Sequence, residues 1–357
     1  MCISLLSKEK PSVREVARVL GNFSASFVAV TFGKLHYRNL ERDKIFALRK
    51  NMGKFDSPMI ISHQARRDIH WWINNIDKSY SDISKNNSRF VMTTDACQTG
   101  WGAVCPWART SGLFSEEETD FHINVLELKA IYFGLKSLCG DLRDTHIKVL
   151  SDNTTAVQCV LNMGSCVSVE CDSVTKAIWE WVIDTNYWIT LSHIPGIENV
   201  EADLESRKNE TRIEWQLDKN LFQNILEHFC VELSIDMFAS RINTQLPRFV
   251  SFRHDPEVIN VNAFTIDWNN EKFYCFPPFS CILRVIQEVI RDRAEGILVV
   301  PNWPNQVWFP ILYDILICEP LLFPPRKSNL LLPNRSQEIY PLHSHLELLA
   351  CHVSGRL

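Results

Sequence analysis

Between residues 11 and 76 the apolar positions recur at three- and four-residue spacing in three runs, PSVREVARVLGNFSASFVAV, LERDKIFALRKNM and SHQARRDIHWWINNI. That is the period of amphipathic helices sharing one buried face. Ser12 and Ser62 stand just ahead of their runs, where a hydroxyl can satisfy a free backbone N–H, and are the expected N-caps. The stretch 77–88, DKSYSDISKNNS, is polar and aperiodic. It reads as a linker, with a first domain boundary near residue 85.

Beyond the linker, strands alternate with helices. Residues 90–94, 100–107 and 109–115 read as three strands of a meander, followed by an amphipathic helix over 124–138. A buried-type strand over 147–151 precedes helices over 153–162 and 169–184. A strand over 188–193 then leads through Pro195-Gly196 into a short helix over 199–206. The order β-β-β-α-β-α-α-β-α predicts an α/β unit with a mixed five-stranded sheet and helices on its faces, over residues 86–207. From residue 208 to 357 the texture is again α/β: ELSIDMF, KFYCFPPF and GILVVPNW are strand-like, with a helix over 282–292 between the last two. The final stretch, LLLPNRSQEIYPLHSHLELLACHVSGRL, is expected to be partly irregular.

Composition adds bounds. With 357 residues, 46% hydrophobic and 22% charged, the chain can bury the cores of two or three domains, which excludes general disorder. No apolar run reaches the roughly 18 to 20 residues needed to span a bilayer, and MCISLLSKEKPSV carries no cleavage signature. A soluble intracellular protein, cytoplasmic or nuclear and without a membrane partner, is the expectation. The twelve cysteines are scattered without a C-x-x-C pair, so neither a compact zinc site nor a disulfide-stapled scaffold fits. Charge is uneven: residues 1–80 hold 14 Lys and Arg against 7 Asp and Glu, whereas residues 89–207 hold 8 against 17. A basic arm before an acidic block suits a polyanion held by one part while carboxylates elsewhere hold metal, although two ordinary solvated surfaces give the same arithmetic.

Four acids stand at the ends of elements: Asp95 in TTDACQTGWGAV, Glu127 in NVLELKAI, Asp152 in LSDNTTAV and Asp203 in NVEADLESR. A carboxylate at the C-terminal end of a buried strand points into the crevice beside the sheet, and Asp95 neighbours Asp152 if their strands pair in parallel. Glu127, one turn into its helix, then faces them. Clustered carboxylates repel unless a hard divalent cation neutralises them, so the quartet predicts Mg²⁺ or Mn²⁺.

Residues 89–207 resemble the ribonuclease H domain of retroelement polyproteins. The matching features are the four acids, the G-W-G-A turn at Gly100, Trp101 and Gly102, and the phrase HIPGIENVEADLESR. The resemblance implies that Asp95, Glu127, Asp152 and Asp203 hold two metal ions, and that His193, ten residues before Asp203, assists protonation or product release. It further implies hydrolysis of the RNA strand of RNA–DNA hybrids, selected by contacts to 2′-hydroxyls. Asn153 and Thr154 are candidates for backbone contact or for simple helix capping.

The resemblance extends to both flanks. Residues 1–85 look like the thumb and connection region of DIRS-type retrotransposons, without a Y-x-D-D hairpin, so polymerase activity is not expected and a separate reverse transcriptase or recombinase chain becomes a candidate partner. Lys34, Arg38, Arg42, Lys44, Arg49 and Lys50 are candidate phosphate contacts. The third region, through IDMFASRINTQLPRFVSF, NAFTIDW, FPPFS and VVPNWPNQVWF, resembles the Dam-like adenine-N6 methyltransferase domain of the same elements. There the implied cofactor-binding residues are Asp236, Phe276, Pro277, Pro278 and Phe279, with S-adenosylmethionine the implied cofactor. Phe276 replaces the polar residue that accepts from the adenine amine, and no glycine-rich cofactor loop is visible. A degenerate domain that binds single-stranded DNA, with Trp303 and Trp308 as candidate stacking residues, is therefore preferred to an active methyltransferase. A noncatalytic nucleic-acid-binding remnant is the alternative to the nuclease as a whole.

Overall fold

The computed structural model describes residues 1–80, 88–142, 144–165, 167–208, 215–333, 335 and 337–356. The boundary expected near residue 85 lies outside them. The chain begins with helices α1 (Cys2–Leu6), α2 (Val13–Ser26), α3 (Arg38–Lys50) and α4 (His63–Asn75). Both expected caps are in place. The Ser12 hydroxyl accepts from the Glu15 amide at 3.3 Å while the Glu15 carboxylate accepts from the Ser12 amide at 2.9 Å, a reciprocal capping box. The Ser62 hydroxyl accepts from the Ala65 amide at 3.2 Å. The apolar faces of these helices meet around Val16, Leu20, Phe23, Leu40, Ile69 and Trp72.

The first sheet is built from β1 (Phe90–Ala96), β2 (Gly100–Cys105), β3 (Ala108–Leu113), β4 (His146–Ser151) and β5 (Trp188–His193), in spatial order β3-β2-β1-β4-β5. The meander β1-β2-β3 is antiparallel, whereas β4 pairs in parallel with both β1 and β5. This is the mixed five-stranded sheet that the element order implied. Its helices are α5 (Glu116–Thr119), α6 (Ile123–Cys139), α7 (Thr154–Leu161), α8 (Val169–Asp184) and α9 (Val200–Arg207). Successive residues of β2 show how two of them are seated. A Cβ at Gly102 would lie 2.5 Å from the Ser206 amide on α9, and a Cβ at Gly134 of α6 would lie 2.8 Å from the Ala103 side chain. Neighbouring strand residues point to opposite faces, so α9 and α6 cover opposite sides of the sheet. The core between sheet and helices includes Met92, Trp101, Leu126, Ile131, Ile147 and Val149.

After β6 (Gln216–Leu217) and α10 (Lys219–Phe229) the chain forms a second sheet. Its members are β7 (Ile235–Asp236), β10 (Lys272–Cys275), β11 (Glu295–Pro301), β12 (Leu321–Phe323) and β14 (Leu348–Ser354), in the order β12-β14-β11-β10-β7. Short pairs β8 (Val250–Ser251) with β9 (Asn260–Val261), and β13 (Leu330–Leu331) with β6, flank it. Helices α11 (Ile282–Arg291) and α12 (Phe309–Asp314) complete the unit. Strands β7, β10 and β11 are parallel, and β14 runs antiparallel between β11 and β12. Buried on both faces, β11 sends Leu298 and Val300 toward α11 and Ile297 and Val299 toward α10, which is why GILVV reads as a continuous apolar run. The strand expected in ELSIDMF is only two residues long. The final stretch is partly irregular, as expected, between β13 and β14, and it also supplies β14, a seven-residue strand inside the sheet. Among the described residues no helix is long and apolar enough to cross a membrane.

Candidate active site

Parallel pairing brings the first acids together. β1 and β4 pair from Phe90↔Ile147 to Thr93↔Leu150, and the same register carried two residues further sets Asp95 opposite Asp152 at the C-terminal end of the strands. Glu127, in the second turn of α6, reaches the same point. Ligand atoms of Asp95, Glu127 and Asp152 all lie within 4.8 Å of one another. Asp95 and Glu127 are buried, at 5% and 4% exposure.

Burial and mutual repulsion disfavour charge here. Burial pushes the Asp95 carboxyl up to about 6, aided by Asp152 and Asp203 and opposed by a hydrogen bond from Ser206. Burial, with Asp95 and Asp152 nearby, pushes Glu127 up to about 9. One Glu127 carboxylate oxygen is buried with no hydrogen-bond partner among the described residues. A buried carboxylate with one unpartnered oxygen, clustered with two further carboxylates, is what a hard divalent cation would satisfy, so the residues present fit Mg²⁺ or Mn²⁺.

The fourth acid takes a different position. Asp203 lies on α9, near enough to influence Asp95, yet it does not join the group of three. Its carboxylate accepts from the Arg207 guanidinium at 2.7 Å, one turn on and toward solvent. His193 is exposed at the end of β5, in register with Ser151, the residue before Asp152. Asn153 is used as a cap: its side chain accepts from the Ala156 amide at 2.9 Å and donates to Asn124 at 3.0 Å. Thr154 is the first residue of α7.

Several participants were given no role at the site by sequence reasoning. The Ser206 hydroxyl donates to Asp95 Oδ2 at 2.6 Å, and the Asn199 side chain donates to the Thr94 carbonyl at 3.0 Å. Gly102, opposite Asp95 in the β1–β2 register, admits the α9 backbone that carries Ser206. Gly196 abuts the site as well: a Cβ there would lie 3.1 Å from Asp152 Oδ2. Ser206 belongs to the ADLESR phrase, but its target is visible only once α9 lies on β2.

Two basic candidates are engaged within the protein. Arg42 pairs with Asp172 at 2.5 Å, and Arg38 bonds Glu41 at 2.9 Å and the Asn162 carbonyl at 3.1 Å. They fasten α3 to α7 and α8, which corrects the reading of these two as phosphate contacts. Lys34, Lys44, Arg49 and Lys50 make no ion pair among the described residues.

The expected cofactor residues of the third region separate into two groups. Asp236 is 2% exposed, and its carboxylate accepts from the Phe238 and Gln245 amides at 3.3 and 3.0 Å. It secures the loop after β7, so it is not presented to a ligand. Phe276, Pro277, Pro278 and Phe279 line a cleft of about 520 Å³ that Ser111, Gly112 and Leu113 of β3 close from the other side. The Phe279 and Trp303 rings meet edge-on at 5.2 Å, while Trp308 is buried in the core.

No known family profile matches the chain, and no curated protein does. Solved structures do. LC11-RNase H1, solved in complex with an RNA/DNA hybrid, is 20% identical over 33% of this chain and 93% of its own, with a TM-score of 0.29. RNase H1 from the halophilic archaeon Halobacterium salinarum is 15% identical over 32% of this chain and 92% of its own, TM-score 0.28. The foamy viral protease-reverse transcriptase, solved with double-stranded DNA, is 15% identical over 54% of this chain and 40% of its own, with a TM-score of 0.22.

Proposed function

We propose that the first-sheet unit hydrolyses the RNA strand of RNA–DNA hybrids with a divalent metal, as the ribonuclease H part of a DIRS-type retrotransposon protein. The observation that carries this reading is the convergence of Asp95, Glu127 and Asp152 within 4.8 Å, with an unpartnered buried Glu127 oxygen among them. These three carboxylates would hold the cation, and Mg²⁺ or Mn²⁺ there supplies Lewis-acid polarisation of the phosphoryl group and a more acidic water. Ser206 fixes the orientation of Asp95 and helps keep it ionised. His193, exposed at the end of the neighbouring strand β5, would hand a proton to the departing 3′ oxygen. Asp203, held by Arg207, adds negative charge at the rim and becomes a further ligand if that ion pair opens. Choice of RNA over DNA would come from 2′-hydroxyl contacts across the hybrid's shallow groove.

The test is a labelled RNA–DNA hybrid with Mg²⁺ or Mn²⁺. Wild type is expected to cleave the RNA strand, with loss of more than about 100-fold in Asp95→Asn and Asp152→Asn, at least the effect of removing a ligand's supporting partner. Binding without cleavage would leave the noncatalytic remnant as the answer, and cleavage unchanged in both variants would remove the metal site from the mechanism.

For the second sheet the reading is a degenerate methyltransferase-like unit. The Phe276–Phe279 loop follows a parallel strand, at the end of the sheet where ligands of open α/β folds bind. An apolar phenyl at 276 offers no acceptor to an amine, so methyl transfer to adenine is not expected. The aromatic cleft supports binding of an unpaired base from single-stranded DNA instead.

A further inference from the structure

We propose that Arg241, from the second-sheet unit, is a positioning residue for the acidic triad of the first sheet. The inference rests on the metal-site reading above. Arg241 lies in the loop after β7, and its backbone amide donates to Asp255 at 2.6 Å, which holds that loop within its own unit. Among the described residues its guanidinium bonds only to the other unit. It donates to both Glu118 oxygens, at 2.7 and 3.2 Å, and to the Leu113 carbonyl at 3.2 Å. It also lies over the Phe133 ring at 4.4 Å.

Glu118 is the hub of this contact. Besides Arg241 it accepts from Lys129 at 2.9 Å and from the Ser115 amide at 2.9 Å. Burial would raise its carboxyl, but Arg241 and Lys129 outweigh burial and hold it below its ordinary range. A fork-shaped donor filling both oxygens of a buried carboxylate fixes direction as well as distance.

The hub connects to two of the three acids through short covalent and hydrogen-bonded paths. Lys129 is two residues past Glu127 on α6, about 200° round the helix, so the clamp grips the outer side while Glu127 faces the cluster. Gln98, three residues past Asp95 in the β1–β2 turn, donates to the Thr119 carbonyl beside Glu118. Arg241 therefore braces the segment that separates and aligns Asp95 and Glu127, in the manner of outer partners that orient metal ligands.

The experiment measures Mn²⁺ uptake by the full chain, from the disappearance of the free-ion paramagnetic signal, alongside thermal unfolding in chelator. Arg241→Ala is expected to weaken Mn²⁺ binding about 3- to 10-fold, at or below the range for a ligand's direct outer partner. Arg241→Lys, which keeps the charge and loses the fork, should fall between it and wild type. Glu257→Ala breaks an ion pair that α6 makes with the second-sheet unit, Lys136–Glu257 at 2.6 Å with Glu257 65% exposed, and should bind as wild type does. An Arg241→Ala protein that is less heat-stable but takes up Mn²⁺ unchanged overturns the proposal, as does an equal weakening by Glu257→Ala. Should the alanine variant fail to fold, the lysine variant decides by the same criterion. A wild type that takes up no Mn²⁺ overturns the metal-site reading and this one together.

Discussion

The substitution Glu127→Gln separates the electrostatic cost of the triad from its benefit. Glu127 rises from an ordinary 4.5 to about 9 on folding. A carboxyl raised in the folded state stabilises it fully below the unfolded value, and that contribution is lost as pH climbs through the folded value. Without metal, the window therefore runs from about pH 4.5 to about pH 9, and each pH unit inside it costs about 1.4 kcal/mol. Between pH 5 and pH 8 Glu127 alone should remove about 4 kcal/mol, equivalent to roughly 10 °C in melting temperature for a unit of this size. Asp95, raised to about 6, adds a loss in the same direction that ends lower in pH and is common to both proteins. The assay is thermal unfolding at pH 5, 6.5 and 8 in chelator, then in Mn²⁺. The wild type should lose stability across the series and regain it with Mn²⁺. The glutamine side chain cannot ionise, so the variant should lose less than half as much and gain little from the ion. A wild-type profile that is flat in chelator, or one that the variant follows in parallel, would refute the argument that three carboxylates share one buried space.

Two further variants test how the site is supported. Gly102→Ala places a methyl group 2.5 Å from the Ser206 amide; it should cost about 1–3 kcal/mol by overpacking, read by denaturant unfolding, and reduce hybrid cleavage by shifting α9. Ser206→Ala removes the hydrogen bond that favours ionised Asp95, so the pH midpoint of Mn²⁺ binding should move up by roughly 1 unit, with little change in melting temperature at pH 5.

Much of the first sheet was legible because its signals are local. A polar residue closing the apolar run before Asp152 marks a strand end, and the β-β-β-α-β order leaves few ways to arrange five strands. Glu127 could be placed because helical spacing turns it inward with Leu128 and Ile131. What escaped depends on contacts between residues far apart in sequence. The fates of Arg38 and Arg42 are set by partners 124 and 130 residues away, and no periodicity of their own helix reveals this. Asp203 and Arg207 form a helical i,i+4 pair that was visible in ADLESR, yet the implied metal role directed attention elsewhere. Asp236 looked like a strand-end ligand residue; only the return of the chain at Gln245 shows where its oxygens go. LLACHVS was overlooked as a strand because its partners, β11 and β12, lie upstream and give no hairpin signal.

The engagement of Arg38 and Arg42 changes how the basic arm would meet a polyanion. Nucleic acid binding gains from releasing condensed counterions, and each phosphate neutralised contributes about −0.9 to the slope of log affinity against log salt for a duplex. Six candidate cations on the arm would give a slope of about −5. With two already neutralised by the protein's own carboxylates and carbonyls, four remain and the slope falls to between about −3 and −4. The arm would then respond less to ionic strength than its composition implies, with two of its arginines serving as internal mortar and only the other four cations left to meet phosphate.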